Sequence, residues 1–215
     1  LAPAFGALKA RALKESVLQR IWDYDESLWS DQPTEIINRL GWLHAPRNYQ
    51  RNLRDIEDLW NRVRPDGYTD AVLIGMGGSS LAADVFRRMF DAPSDYLQLH
   101  VLDTTDPDAI RSLQSTLAPR KSLFIISTKS GTTAETLSGF KHFYNWTAEE
   151  VGANRAGQHF IAITDPGSQL EALAKEYNFR KTFLNDPNIG GRYSALTYFG
   201  LVPAGLMGVD LEQLL

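Results

Sequence analysis

From Tyr68 onward, short apolar runs alternate with stretches of helical periodicity, and this alternation restricts the possible fold most strongly. The apolar runs predict five strands, at residues 71–74, 97–102, 122–126, 159–163 and 181–184. The segments that follow them predict helices at residues 81–90, 106–117, 134–150, 168–177 and 193–209. Such alternation indicates a parallel sheet with helices on both faces. We therefore expect an α/β fold with a three-layer, doubly wound sheet of about five parallel strands.

Residues 1–67 have a different pattern and predict an N-terminal helical extension that packs on the sheet. Apolar residues recur at helical spacing around residues 8–22, 35–40 and 53–63. A turn sequence, Arg-Pro-Asp-Gly at residues 64–67, closes the region. We interpret four of the five tryptophans as core anchors of these helices: Trp22, Trp29, Trp42 and Trp60. The expected division is a helical region over 1–67 and a main domain over 68–215.

Composition excludes several classes of protein. A formal net charge of −4 and a pI near 5.6 argue against a nucleic-acid partner. The absence of cysteine excludes disulfides and thiolate zinc sites, and the four histidines show no metal-ligand spacing. No apolar run approaches the roughly 20 residues that cross a bilayer. We expect a cytoplasmic protein with no metal, no other cofactor and no membrane partner.

The two ends of the sequence suggest part of a longer polypeptide. Leu1 is not an initiator methionine, and the last residues, 209–215, stop inside an apolar helical pattern. We therefore expect this chain to be a fragment of a longer chain.

A loop rich in hydroxyl groups, residues 127–133, follows the third predicted strand and precedes a predicted helix. Its sequence is Ser-Thr-Lys-Ser-Gly-Thr-Thr, and no carboxylate occurs before Glu135. Free N–H groups at a helix N-terminus bind anions, and hydroxyl groups add donors. The alternative is an ordinary helix N-cap, but a cap needs only one hydroxyl group and this hydroxyl loop has five. The hydroxyl loop therefore predicts a phosphate site.

Two further loops follow predicted strands and contain paired glycines. The glycine loop, residues 75–80, lacks the last glycine of a dinucleotide fingerprint, because Ser80 stands there, and it lacks the lysine of a nucleotide P-loop. In the arginine loop, residues 185–194, two glycines precede Arg192, which could bind phosphate or stabilise an oxyanion. The alternative for the glycine loop is a tight turn with packing glycines, and the alternative for the arginine loop is a surface arginine after a glycine turn.

Three segments together resemble the sugar isomerase (SIS) fold, a flavodoxin-like fold, and within it the glucose-6-phosphate isomerases. They are Gly-Met-Gly-Gly-Ser at 75–79, Ser-Thr-Lys-Ser-Gly-Thr-Thr-Ala-Glu-Thr at 127–136 and Gly-Gly-Arg-Tyr-Ser at 190–194. The resemblance covers about residues 68–215, as the first SIS domain of such an enzyme. The pair Ser130-Gly131 departs from the threonine-phenylalanine pair usual in animal and enterobacterial members. It is similar to divergent bacterial or archaeal branches, including isomerases fused to a transaldolase, and such a fusion is one hypothesis for this chain.

The resemblance implies roles for individual residues. Substrate phosphate would be bound by Ser79, Thr128, Lys129 (through its backbone), Ser130 and Thr133. Gly78 and Gly191 would approach the sugar, and Arg192 would stabilise the enediolate. In the family, the glutamate that moves the proton and the ring-opening histidine and lysine lie in the second SIS domain and C-terminal part. The histidine comes from the partner subunit of a homodimer.

The expected function is the interconversion of glucose 6-phosphate and fructose 6-phosphate, a step of glycolysis and gluconeogenesis. Because the catalytic base would lie outside this chain, we expect the isolated chain to have little or no isomerase activity. The alternative is a non-catalytic SIS module that senses a sugar phosphate and regulates a partner. A nucleotide-dependent oxidoreductase is disfavoured because the glycine fingerprint is incomplete.

Overall fold

A computed structural model describes residues 2–215, so Leu1 of the predicted helical region lies outside the described residues. The strands are β1 (Asp70–Gly75), β2 (Gln98–Leu102), β3 (Ser122–Ser127), β4 (Phe160–Thr164) and β5 (Lys181–Leu184). The helices are α1 (Ala2–Lys14), α2 (Val17–Trp22), α3 (Ala45–Gln50), α4 (Leu53–Val63), α5 (Leu81–Met89), α6 (Pro107–Thr116), α7 (Ala134–Val151), α8 (Ala153–Ala156), α9 (Gln169–Glu176), α10 (Tyr198–Leu206) and α11 (Leu211–Leu214). Within residues 2–215, no helix is both long and apolar enough to cross a membrane.

The five strands form one parallel sheet in the order β2-β1-β3-β4-β5. This confirms the expected α/β fold with a doubly wound sheet. The strand order reverses between β1 and β3, because β1 leads to β2 on one side and β3 lies on the other. Sheets of this order bind ligands outside the carboxyl ends of their strands, at that switch point. The glycine loop follows β1 and the hydroxyl loop follows β3, so both start at the switch point.

Alternate residues of the strands build two separate cores, one on each face of the sheet. Leu73 of β1 packs with α4, α5 and α10 in the larger core. Its neighbour Ile74 faces the other side and packs with α7 and α9, where Phe140 and Phe143 are fully enclosed. Each such side chain contributes roughly 1.5–3 kcal/mol on burial. Helices therefore cover both faces, and the carboxyl edge of the sheet stays free for loops.

The predicted helix over residues 35–40 is wrong. Glu35 has a φ of 64°, in the left-handed region that a right-handed helix cannot include. The N–H groups of Ile36 and Ile37 both donate to the carbonyl of Pro33, which makes a tight turn. The apolar spacing there belongs to turns that lead to Leu40, which forms an isolated antiparallel bridge with Ile189.

The interpretation of the N-terminal tryptophans as core anchors is also wrong for three of the four. Trp22, Trp29 and Trp42 are 51%, 49% and 38% exposed, respectively. Trp22 lies beside the His44 ring, and only Trp60, on α4, packs against the larger core. Among residues 4–22, none is buried, so α1 and α2 do not pack on the sheet.

The last predicted helix, over residues 193–209, is shorter in the structure and begins at Tyr198. Residues Gly191–Tyr193 form a separate 3₁₀ turn. The hydroxyl group of Thr197 accepts from the N–H of Phe199 at 3.2 Å and so caps α10. The segment 191–197 is therefore a compact connection that carries Arg192 at the sheet edge.

Candidate functional site

The ends of β1 and β3 lie against each other and bring the glycine loop to the hydroxyl loop. Gly75 is paired with Ser127, and a Cβ at residue 75 would lie 2.8 Å from the Ser127 carbonyl oxygen. The Ser127 hydroxyl donates to the carbonyl of Ser79 at 2.7 Å. Ser127 is fully buried, so this hydrogen bond is shielded from water. The two loops are thereby held in a fixed relation at the switch point.

The arginine loop reaches the same place through a backbone contact between two glycines. A Cβ at Gly78 would lie 2.4 Å from the carbonyl carbon and oxygen of Gly191, so no larger residue fits at position 78. The Ser194 hydroxyl lies 2.7 Å from the Gly191 carbonyl and 3.3 Å from the Gly78 carbonyl. The glycine, hydroxyl and arginine loops therefore meet, although they come from three different strands.

The hydroxyl groups of the hydroxyl loop form two pairs. The Thr128 and Thr133 hydroxyl oxygens are 3.0 Å apart, and those of Ser130 and Thr132 are also 3.0 Å apart. Gly131 has a φ of 74°, and a Cβ there would lie 2.6 Å from the backbone nitrogen of Leu170. Glycine is therefore required at 131 both by its conformation and by the close approach of α9.

The N-terminus of α7 keeps its donors available. Thr133 is the N-cap residue, but its side chain makes no capping hydrogen bond. Within residues 2–215, the backbone N–H groups of Lys129, Ser130 and Gly131 donate to no protein acceptor. An ordinary cap does not account for this arrangement, because a cap would use these threonine oxygens on the helix itself. The donors can instead converge on an anion.

The ammonium group of Lys129 faces Asp165, the residue that follows β4, and forms an ion pair with it. Lys129 Nζ also donates to the carbonyl of Pro187 in the arginine loop at 2.9 Å. Burial raises the pKa of the Asp165 carboxyl group, and the hydrogen bond and charge of Lys129 oppose that rise. The sequence leaves the direction of the Lys129 side chain open, and the structure directs it along the sheet edge.

Arg192 is exposed beside a cleft of about 160 Å³. Gly78 and Gly191 line one side of the cleft, and α5 residues such as Leu81 and Val85 line another. In the part of the chain that the structure describes, the Arg192 guanidinium group makes no hydrogen bond or ion pair with the protein. Its donors are therefore free for a ligand. No three His, Asp or Glu side chains within residues 2–215 are grouped so as to hold a metal ion.

Sequence reasoning missed a buried polar group that holds the arginine loop. The Asn185 side-chain oxygen accepts from the Tyr49 hydroxyl at 3.0 Å and from the Tyr198 N–H at 3.2 Å. The Asn185 N–H donates to the Thr164 carbonyl at 2.9 Å. Burial raises the pKa of Tyr49 to about 12. The only signal in the sequence was an asparagine directly after a strand.

The segment 40–44 supports the arginine loop from outside. The Gly41 N–H donates to the Asn188 carbonyl at 3.0 Å. The Trp42 ring stacks on the Tyr193 ring, with centroids 5.2 Å apart and planes inclined by 19°. This stack explains why Trp42 lies at the sheet edge and not in the core.

The profile of the family described as Phosphoglucose isomerase matches residues 46–215, most of the chain and all three loops. The chain belongs to the phosphoglucose isomerase family. It is 36% identical to a glucose-6-phosphate isomerase of Thermus thermophilus over 82% of the chain and 41% of that protein. It is 30% identical to the glucose-6-phosphate isomerase of Rubrobacter xylanophilus over 98% of the chain and 48% of that protein. The chain thus spans less than half the length of these curated relatives.

Two solved structures share the fold of this chain. A hypothetical protein of Thermus thermophilus superposes with a TM-score of 0.80 at 32% identity, over 99% of this chain and 48% of that one. A glucose-6-phosphate isomerase from Chlamydia trachomatis superposes with a TM-score of 0.66 at 24% identity, over 77% of this chain and 31% of that one. The second likeness shows the shared fold.

Proposed function

We propose that this chain forms the sugar-phosphate-binding part of a glucose-6-phosphate isomerase, which interconverts glucose 6-phosphate and fructose 6-phosphate through an enediolate. The observation that carries the proposal is the meeting of the three loops at the switch point, with Gly78 directly against Gly191. Membership of the phosphoglucose isomerase family supports it. The protein would have a helical region over residues 1–67 and an SIS domain over residues 68–215.

The hydroxyl and glycine loops would bind the phosphate group. A phosphate dianion accepts many hydrogen bonds, and bonds to charged groups contribute roughly 1.5–3 kcal/mol each. The N–H groups of Lys129, Ser130 and Gly131, which donate to no acceptor within residues 2–215, favour this role, as does the uncapped start of α7. The proposed donors are the hydroxyl groups of Ser79, Thr128, Ser130 and Thr133 and the backbone N–H of Lys129.

Arg192 would act on the reacting end of the sugar. Moving a proton between C1 and C2 leaves negative charge on oxygen, and a guanidinium group beside that oxygen stabilises the charge in the transition state. Gly78 and Gly191 would let the backbone approach the sugar closely. Membership of the phosphoglucose isomerase family favours an isomerase over a sugar-phosphate sensor.

The base that moves the proton would come from outside the three loops. Asp165 is engaged by Lys129, and Asp186 accepts from the Asn188 N–H at 2.9 Å. Glu135 is exposed in the first turn of α7, on the helix and not in the loop. We therefore infer that a second SIS domain of the same polypeptide supplies the base. We also propose that the whole protein is a homodimeric cytoplasmic enzyme that uses no metal or other cofactor.

Two ligands test this function in the 215-residue chain by calorimetry. Fructose 6-phosphate measures phosphate binding, and a five-carbon aldonate 5-phosphate carries a carboxylate that mimics the enediolate. An isomerase binds such a mimic more tightly than its substrate, through contacts that form fully only in the transition state. We expect Arg192→Ala to lose roughly 1.5–3 kcal/mol with the mimic and much less with fructose 6-phosphate.

Arg120→Ala is the matched control, because Arg120 lies before β3, at the opposite edge of the sheet, and pairs with Glu150. It should change neither affinity. In the same preparations, we expect no measurable isomerisation by the chain alone. Equal losses with both ligands in Arg192→Ala would argue for a sensor, and turnover by the chain alone would show that the base lies within it.

A further inference from the structure

The ion pair between the side chains of Lys129 and Asp165 uses no atom that we assign to substrate binding, yet it connects three loops. Lys129 is in the hydroxyl loop after β3, and Asp165 follows β4. The same ammonium group donates to the carbonyl of Pro187, after β5. One side chain therefore ties together the ends of three neighbouring strands. Both partners are largely enclosed, with 27% of the Lys129 side chain and 16% of the Asp165 side chain exposed.

A second set of hydrogen bonds fixes the backbone of Lys129. Its carbonyl accepts from the Asp165 N–H at 3.3 Å and from the Thr164 hydroxyl at 3.4 Å. In a trans peptide the carbonyl and the next N–H point in opposite directions within one plane. The Lys129 carbonyl points to the end of β4, so the Ser130 N–H points away from it. This is one of the N–H groups that meet no protein acceptor within residues 2–215.

We propose that Asp165 is a positioning residue of the phosphate site, which holds Lys129 and thereby aims the N–H groups of the hydroxyl loop at the anion. The inference rests on the proposed function. Asp165 keeps the ammonium group on the structural side of the loop, so Lys129 contributes to binding through its backbone. Asp165 acts through Lys129 and does not touch the substrate.

The arrangement costs stability, which argues that it does more than join two surface groups. The second carboxylate oxygen of Asp165 is buried and meets no partner among the described residues. A buried carboxylate without full hydrogen bonding is destabilising. The ion pair of Arg11 with Glu15, whose side chains are 73% and 41% exposed, avoids that cost.

Removal of the Asp165 charge gives opposite results under the two possible roles of Lys129. If the ammonium group bound phosphate directly, Asp165→Asn would release it and remove a repelling charge, so phosphate affinity would rise. If Asp165 positions the loop, the same substitution loosens Lys129 and the affinity falls. We expect Asp165→Asn to weaken fructose 6-phosphate and inorganic phosphate binding about tenfold, as the loss of one enclosed charged contact would.

Companion variants separate positioning from a general loss of structure. Lys129→Met should weaken binding as much as Asp165→Asn, and Lys129→Arg should rescue it to within about threefold, because the cation is retained. The double variant, Lys129→Met with Asp165→Asn, leaves no unpaired charge. Its affinity should be no lower than that of the single variant that binds more weakly. Lys175→Met is the control and should bind normally.

Calorimetry with fructose 6-phosphate and inorganic phosphate, supported by thermal melts, measures these affinities in the whole chain. Amide NMR without ligand gives a second readout, in which Asp165→Asn should shift the Ser130 signal and Lys175→Met should not. Wild type that binds neither ligand would overturn the proposed function. Wild type that binds while Asp165→Asn binds equally or more tightly would overturn this inference alone. Additive losses in the double variant would also overturn it.

Discussion

Two loops at the same edge of the sheet each lead into a helix, but their polar side chains interact with the helix start in different ways. In the loop after β2, here the aspartate loop (residues 103–107), the Asp106 carboxylate accepts from the N–H groups of Asp108 and Ala109, both at 2.9 Å. The Thr104 hydroxyl accepts from the Asp106 N–H at 3.1 Å. In the hydroxyl loop after β3, Thr133 caps nothing, and the threonine hydroxyl groups pair with each other.

The difference shows what turns a helix start into an anion site. The first turn of a helix always has free N–H groups. In the aspartate loop a carboxylate satisfies them and adds a negative charge that repels anions. In the hydroxyl loop the threonine hydroxyl groups pair with each other, and the N–H groups of residues 129–131 meet no protein acceptor within residues 2–215. Connections to the other loops add to this difference. Hydrogen bonds tie the hydroxyl loop to the glycine loop and to the arginine loop, and none within residues 2–215 ties the aspartate loop to either.

The largest expected effect comes from removing the paired hydroxyl groups. Thr128→Val with Thr133→Val keeps the side-chain shape and deletes two donors. We expect fructose 6-phosphate binding to weaken by several kcal/mol at most, at roughly 1.5–3 kcal/mol for each charge-assisted hydrogen bond. Thr105→Val in the aspartate loop is the control and should leave binding unchanged. Titration calorimetry measures both, and unchanged binding in the double variant would place the phosphate elsewhere.

Much of this contrast could be predicted from sequence, because local patterns determine it. The continuous apolar run of β3 predicts a strand buried on both faces, and the strand indeed covers Ser122–Ser127. The excess of hydroxyl groups directly after it indicated an anion site. The predicted helix over residues 106–117 is α6, which begins at Pro107 with Asp106 as its N-cap. Each of these signals lies within a few residues of the element that it predicts.

Features that depend on distant partners could not be predicted. Lys129 meets a carboxylate 36 residues away, and Tyr49 meets Asn185 at a separation of 136 residues. No local pattern reports such pairs. The helix predicted over residues 35–40 failed for a different reason, because apolar spacing does not reveal the positive φ of Glu35. The helical periodicity of residues 8–22 predicted helices correctly but said nothing of what they pack against, so Trp22 was wrongly placed in the core.

A second test uses two glycines with the same backbone angle. Gly131, in the hydroxyl loop, and Gly167, in the turn before α9, both have a φ of 74°. A Cβ at 131 would lie 2.6 Å from the Leu170 nitrogen, whereas nothing lies within 4 Å of one at 167. Both alanine variants suffer the left-handed penalty of roughly 1–2 kcal/mol. We expect Gly131→Ala to lower the free energy of unfolding by about 1–3 kcal/mol more than Gly167→Ala does, because the backbone around residue 131 must move.

Chemical denaturation measures the two free energies of unfolding, and calorimetry with fructose 6-phosphate measures the consequence for the site. Gly131→Ala should also weaken binding, since the hydroxyl loop moves away from α9. Gly167→Ala should bind as wild type does. Equal stability of the two variants would mean that the close approach at Gly131 does not constrain the hydroxyl loop.

The smallest expected effect concerns the aspartate loop itself. Asp106→Ala removes both capping hydrogen bonds of α6 and should lower the free energy of unfolding by about 1 kcal/mol. Asp106→Ser keeps a capping oxygen and should recover most of that loss. Neither variant should change fructose 6-phosphate affinity in calorimetry, because the N–H groups of α6 lie away from the switch point. If Asp106→Ser gained phosphate binding, removal of the carboxylate alone would turn a helix start into an anion site. The position of the loop in the sheet would then contribute less to anion binding than we propose.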